Sequence, residues 1–105
     1  MAGKTRKEQI LEMLADDPND PFLRYGLGME FLSEGANEEA LRCFRELVEV
    51  APDYVPGYQQ AGQTLARLGR ADEARDIYRR GIAMAQKVGN LHARDEMQGF
   101  LDGLE

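Results

Sequence analysis

The sequence predicts an all-α protein in which six helices, joined by short breaks, stack as antiparallel hairpins. Three observations predict it. Apolar residues recur three and four apart in six segments, the spacing that lets a helix bury one face. No segment sustains the period-two alternation of a half-buried strand, and β-branched residues are few. The chain also matches itself when shifted by 34 residues, so one helical unit is used twice.

The segments follow in order along the chain. After a flexible stretch at residues 1–4, Ile10, Leu11 and Leu14 mark a first helix within 5–16, and a polar linker runs to residue 20. Leu23, Leu27 and Phe31 mark the second helix, and Ala40, Leu41, Phe44, Leu47 and Val48 the third; together they make a unit spanning 21–54. Tyr58, Ala61, Leu65 and Leu68 mark the fourth, and Ala74, Ile77, Tyr78, Ile82 and Ala85 the fifth, in a second unit spanning 55–88. Met97, Phe100, Leu101 and Leu104 mark the sixth, within 89–105.

The breaks are chemically sensible. Pro18, Pro21, Pro52 and Pro56 all sit in or beside them, where helices end or begin. Gly35, Gly69 and Gly89 each follow an apolar stripe, where a left-handed cap is cheapest without a Cβ. Asp20 before Pro21 reads as an N-cap, and Asn37 and Asp53 can serve similarly. Loops this short force successive helices to pack antiparallel.

At the 34-residue offset Gly28 falls on Gly62, Gly35 on Gly69, Glu39 on Glu73, Ala40 on Ala74, Arg45 on Arg79 and Ala51 on Ala85. Similar residues fill in: Phe31 with Leu65, Cys43 with Ile77, Phe44 with Tyr78, Val48 with Ile82. A two-helix period of this length, with Leu27, Gly28, Phe31, Gly35, Ala40, Phe44 and Pro52 in one unit and Ala61, Gly62, Leu65, Gly69, Ala74 and Tyr78 in the next, resembles the tetratricopeptide repeat family. Small residues at 28, 40, 62 and 74 would let the two helix backbones cross closely. Three positions depart from the family pattern: Arg24 replaces a large aromatic, Gln86 a closing proline, and Gly81 an alanine or leucine. Without the proline the fifth helix should run on to Val88. At the same offset Ile10 and Met13 fall on Phe44 and Leu47, so the first helix reads as an unpaired second-type helix and the last as an unpaired first-type helix, capping the stack at both ends.

The resemblance implies two hairpins in a right-handed superhelical array and a concave groove lined by the first helix of each pair. At the matching positions stand Phe22, Tyr25, Met29 and Ser33 in one repeat and Gln59, Gln63, Ala66 and Arg67 in the other. It further implies non-catalytic protein–protein interaction, with an extended or helical segment of another protein as partner. Family members that hold a free C-terminal carboxylate do so with lysine, asparagine and arginine; Tyr25 and Met29 stand in the first two of those places, so that clamp is missing.

Composition narrows the alternatives. Nineteen acidic against 13 basic side chains leave a net charge of −6, which repels phosphate backbones and anionic lipid and argues against nucleic-acid or membrane partners. Residues 1–53 carry 6 basic and 12 acidic side chains and 54–105 carry 7 of each, with a basic band over 67–87. In that band Arg75, Arg79 and Arg80 read as convex-side residues making surface pairs such as Asp76 with Arg80. Nothing has the pattern of a signal peptide or a membrane span, and the one cysteine, Cys43, cannot form an internal disulfide, which together suggest a cytoplasmic protein.

Chemistry has little to stand on, and neither a cofactor nor a metal is expected. The single histidine, His92, lies at the start of the last helix, and Cys43 falls on an apolar face as a small hydrophobe. Gly26-Leu27-Gly28 sits inside a helix, with no strand before it to make a phosphate loop. The acidic run at 16–20 lacks calcium-loop spacing. The reading is an adaptor or scaffold, monomeric or weakly dimeric; the alternatives are a structural subunit that self-associates through its terminal helices and an enzyme's accessory subunit.

Overall fold

A computed structural model describes residues 3–104; Met1, Ala2 and Glu105, in the expected terminal stretches, lie outside the described residues. Six helices and no strand run through them: α1 (Arg6–Asp16), α2 (Pro21–Ser33), α3 (Asn37–Val50), α4 (Val55–Arg67), α5 (Ala71–Val88) and α6 (Leu91–Leu104). Each packs on the next in the chain, and α4 also touches α6. The array measures 49 × 28 × 19 Å with a radius of gyration of 14.2 Å, above the roughly 13 Å of a round domain this size. Such elongation follows when each layer contacts only its neighbours.

Local chemistry sets the helix ends. Thr5 and Glu8 make a capping box on α1, the Glu8 amide donating to Thr5 Oγ1 at 3.1 Å and the Thr5 amide to Glu8 Oε1 at 3.4 Å. Asp20 Oδ1 accepts from the amides of Phe22 (2.8 Å) and Leu23 (3.2 Å), and Asn90 Oδ1 accepts from Ala93 at 3.1 Å. Two expected caps are not made. Asn37 is the first residue inside α3, behind Ala36, and α4 starts after Tyr54 rather than Asp53; neither end has a side-chain cap. Glu38 and Glu39 answer the helix dipole in the first turn of α3, and Pro56 removes one orphan donor from α4. At the other ends Gly35, Gly69 and Gly89 take φ of 75°, 76° and 80°. The amide after each reaches back five residues, as Ala36 does to the Phe31 carbonyl at 2.9 Å, closing a left-handed cap.

One core runs from α3 to α6 through Ala40, Phe44, Leu47, Ala61, Leu65, Ala74, Tyr78 and Met97, all essentially buried. The glycines explain its form. A Cβ on Gly28 would lie 2.4 Å from Phe44 Cε1, and one on Gly62 would lie 2.4 Å from Tyr78 Cε1. What each glycine admits is therefore an aromatic ring from the paired helix, not its backbone. Gly81 is likewise accounted for: a Cβ there would come 2.6 Å from both Met97 Sδ and Tyr58 Cβ, where α6 closes on the stack.

The departure at Arg24 also resolves. The Tyr58 hydroxyl donates to the Pro52 carbonyl at 2.7 Å, and Arg24 Nε donates to the Pro18 carbonyl at the same distance, six residues back in each case. Across the hairpin Arg24 pairs with Glu46 at 2.6 Å, while at the equivalent place the Arg80 guanidinium sits 5.8 Å from the centroid of the Tyr58 ring. That ring and Glu49, at 3.9 Å, hold Arg80, so the expected Asp76–Arg80 pair is not formed; Asp76 pairs with Arg79 at 3.9 Å.

α1 ends as a second-type helix should. The Asp17 amide donates to the Met13 carbonyl at 2.9 Å and the Ala51 amide to that of Leu47 at 2.8 Å, 34 residues on. Ile10 is buried with Leu27 and Cys43 in a separate small cluster, with Leu14, Leu23 and Phe31 around it. Met13 departs from the role of Leu47 and is 48% exposed. Leu23 stands where Gly57 leaves room for the Leu47 side chain, 3.2 Å from where a Cβ would be, and fills that space itself. Among the described residues no helix is long and apolar enough to cross a membrane.

Two substitution sets check this packing in urea unfolding. Gly28→Ala should destabilise by about 2 kcal/mol, as overpacking does, and Gly81→Ala should do likewise, although alanine is the better helix former. Gly99→Ala, where a Cβ meets nothing within 4 Å, should stabilise by up to about 1 kcal/mol. Tyr58→Phe removes one hydrogen bond and leaves the Pro52 carbonyl unpaired, a loss of about 1 kcal/mol.

Candidate functional site

The first-type helices α2, α4 and α6 share one side of the array, and two hollows open between them. One, of about 620 Å³, lies between α2 and α4 and is lined by Met29, Leu32, Ser33, Gln60, Gln63 and Arg67, with Gly35 and Asn37 at its edge. The other, of about 540 Å³, lies between α4 and α6; Ala66, Tyr78, Gly99, Phe100 and Leu104 line it, and Gln63 and Arg67 are shared. Residues three and four apart share a helix face, which is how Gln60, Gln63 and Arg67 form one stripe down α4.

The eight residues expected in the groove meet different fates. Met29, Ser33, Gln63, Ala66 and Arg67 line the hollows, and the Ser33 hydroxyl donates to its own helix at the Glu30 carbonyl (2.7 Å). Gln59 is occupied, its amide donating to Glu96 of α6 at 3.3 Å. Phe22 is 70% exposed at the α3–α4 end, with its ring edge-on to Tyr54 at 5.5 Å. Tyr25 is a wedge rather than an open contact, half-buried between Tyr54 (6.0 Å) and the core residue Phe44 (6.1 Å). These rings make a continuous path from surface to core. Burial raises the Tyr54 hydroxyl above its ordinary pKa, and the neighbouring Tyr25 adds to that.

Sequence reasoning missed four residues of this face. Gln60 lies three before Gln63, a spacing that could have found it. Leu32 reads as neutral filler, and Tyr54 stands in a loop where Asp20 has its counterpart. Phe100 was expected on the core stripe of α6; it is 42% exposed, its ring stacked on Tyr78 at 5.8 Å and forming the wall of the second hollow.

The opposite face, formed by α3 and α5, carries most of the basic band, and the band's arginines there are paired. Arg45 meets Glu73 at 3.1 Å, Arg70 reaches Glu73 and Glu38, Arg75 pairs with Asp72, and Arg79 and Arg80 pair as above. Arg75 also donates to the Leu104 carbonyl at 3.0 Å, tying α6 to α5. A shallow hollow of about 370 Å³ there lies over Val48, Val50 and Ile77 beneath Arg45 and Arg80.

His92 is exposed, with Nε2 3.4 Å from Glu96 Oε1, and no cluster of three potential metal ligands occurs among the described residues. Cys43 is buried, and desolvation, with Glu46 adding to it, pushes its thiol pKa up from 9.0 to about 11.

The tetratricopeptide repeat family model matches residues 23–54 and 55–88, back to back and over both hairpins. The chain belongs to the tetratricopeptide repeat family. It is 33% identical over 98 residues to a TPR repeat-containing protein of Pseudomonas aeruginosa, covering 93% of each chain. A tetratricopeptide repeat domain protein from Salinibacter ruber, solved by solution NMR, superposes with a TM-score of 0.80 at 41% identity, over 84% of this chain and 89% of that one. A peroxisomal targeting signal receptor of Eremothecium gossypii is 32% identical over 78 residues, which are 73% of this chain but 14% of the receptor. Tetratricopeptide repeats are in general non-catalytic modules that bind other proteins, and they do so through surface rather than through reactive groups.

The thiol gives a direct check on the site chemistry. At about pH 8 native Cys43 should react with iodoacetamide at least tenfold more slowly than in the urea-unfolded chain, because a thiol titrating near 11 presents little thiolate. Because its folded pKa is raised, the contribution of Cys43 to stability is full below about 9 and is lost as the pH rises towards 11.

Proposed function

We propose that the chain is an adaptor whose concave face, formed by α2, α4 and α6, receives a segment of a partner protein. One observation carries the reading: side chains there are exposed and not spent on the fold. Phe22, at the start of α2, is 70% and Met29 37% exposed, and the side-chain amides of Gln60 and Gln63 make no hydrogen bond among the described residues, Gln63 sharing its hollow with the Phe100 wall. Exposed aromatic and thioether groups supply contact area, and free amides can pair with a partner's backbone. On the α3–α5 face, by contrast, Arg45, Arg70, Arg75, Arg79 and Arg80 are held by carboxylates, and Arg80 also by a ring. The net charge of −6 disfavours nucleic acid and anionic lipid, and a buried free thiol suits the cytoplasm.

The test is capture of a partner from cell lysate by the wild-type chain and by a Phe22→Ala, Met29→Ala, Gln63→Ala variant whose helicity and melting point match. Tyr25 is left intact because its ring packs on Phe44. Loss of the wild-type partner from the variant is the expected result; equal capture moves the site to another face. A second reading, self-association through α1, is favoured by the exposed Leu11 and Met13 on that helix. It requires light scattering to give a dimer mass that Leu11→Glu converts to monomer.

A further inference from the structure

Ten of the 13 basic side chains lie within ion-pair distance of a carboxylate. Among the described residues Arg42, Arg67 and Lys87 do not, and of these Arg67 alone lines the concave face. Its position is specific: Arg67 borders both hollows, with Met29 and Leu32 on one side and Ala66 and Phe100 on the other. Glu96 of α6 is engaged elsewhere, with Gln59 and His92. A guanidinium between two apolar hollows is a complement to a carboxylate between two apolar side chains.

We propose that the groove selects an extended segment in which an internal aspartate or glutamate is flanked, two positions before and two after, by large apolar residues. This rests on the groove reading above and names its ligand. The hollows lie on either side of α4, so they are separated by about the 10–12 Å width of a helix with its side chains. An extended chain advances about 3.3 Å per residue and points alternate side chains the same way. A segment crossing α2, α4 and α6 therefore places residues i−2 and i+2 about 13 Å apart, one in each hollow, with residue i over Arg67. The intervening residues face solvent, and their backbone passes nearest the side-chain amide of Gln63, which borders both hollows with Arg67.

The probe is a random-peptide display library whose segments are held between fixed flanks and have no free terminus. It is selected on the wild-type protein, on Arg67→Glu, and on Arg42→Glu as a variant with the same change of charge on the α3–α5 face. Wild type and Arg42→Glu should enrich acidic residues with apolar residues at both second neighbours; Arg67→Glu should bind those clones at least tenfold more weakly and select lysine or arginine in their place. Enrichment of apolar clones without the acid, lost on Met29→Ala and Gln63→Ala, would overturn the acidic motif and leave the groove reading standing. Clones indifferent to Arg67, Met29 and Gln63, or no enrichment at all, would overturn the motif and remove the groove from consideration. Acidic clones with apolar residues at helical spacing, or enrichment only from a library with a free C-terminus, would overturn the extended, internal ligand.

Discussion

The array depends on a ring received by a glycine. In each hairpin the second helix contributes an aromatic residue, Phe44 or Tyr78, whose edge lies where the first helix would otherwise carry a Cβ. The ring is thereby clamped against backbone and cannot be traded for a larger side chain without moving a helix. Around this fit lie Ala40 and Ala74, one turn earlier, and the buried Leu47 and Leu65. Gly81 repeats the principle at the end of the stack, with a methionine from α6 as the intruder. The last helix is seated by the same kind of contact that builds the repeats.

A second set of interactions holds each loop to its own hairpin, and here the two repeats use different chemistry for one purpose. Arg24 and Tyr58 both reach back to a proline carbonyl. Each then needs a partner from the second helix, and that partner differs accordingly: Glu46 for the guanidinium, Arg80 for the phenol ring. The pairs are coupled. Moving Arg24 into the second repeat would set it beside Arg80, and moving Tyr58 into the first would leave Glu46 facing a ring.

Much of the fold could be read because it is written in residue identity at fixed offsets. Glycine at 28, 35, 62 and 69 and the aromatic at 44 and 78 recur every 34 residues, and each has a steric meaning independent of context. The six helices and the repeat follow from them. Several of the misreadings share another character: they concern side chains whose role depends on what a neighbour has already taken. Asn37 and Asp53 look like caps, but each helix starts one residue away from them, after Ala36 and after Tyr54, so neither side chain stands at the capping position. Arg80 looks bound to its own helix until the Tyr58 ring is beside it. On the candidate site, helical spacing assigns Tyr25 and Gln59 to a face without revealing that Phe44 and Glu96 engage them. Phe100 falls on the groove position Ala66 at the 34-residue offset, but its large apolar ring reads as part of the core stripe of α6 instead.

The small cluster of Ile10, Leu27 and Cys43 has a consequence for the order in which the molecule opens. It is separate from the main core, and α1 is held to the rest by it and by exposed ion pairs such as Lys7 with Glu34. A terminal layer attached this way is a cooperative unit of its own, able to come away while the hairpins stay folded. Amide exchange in α1 should then report a local equilibrium and exchange in α3 to α5 the global one. Cys43 sits on the boundary: it belongs to α3 but is covered by Ile10, so its thiol becomes accessible on departure of the first helix, well before the repeats themselves unfold.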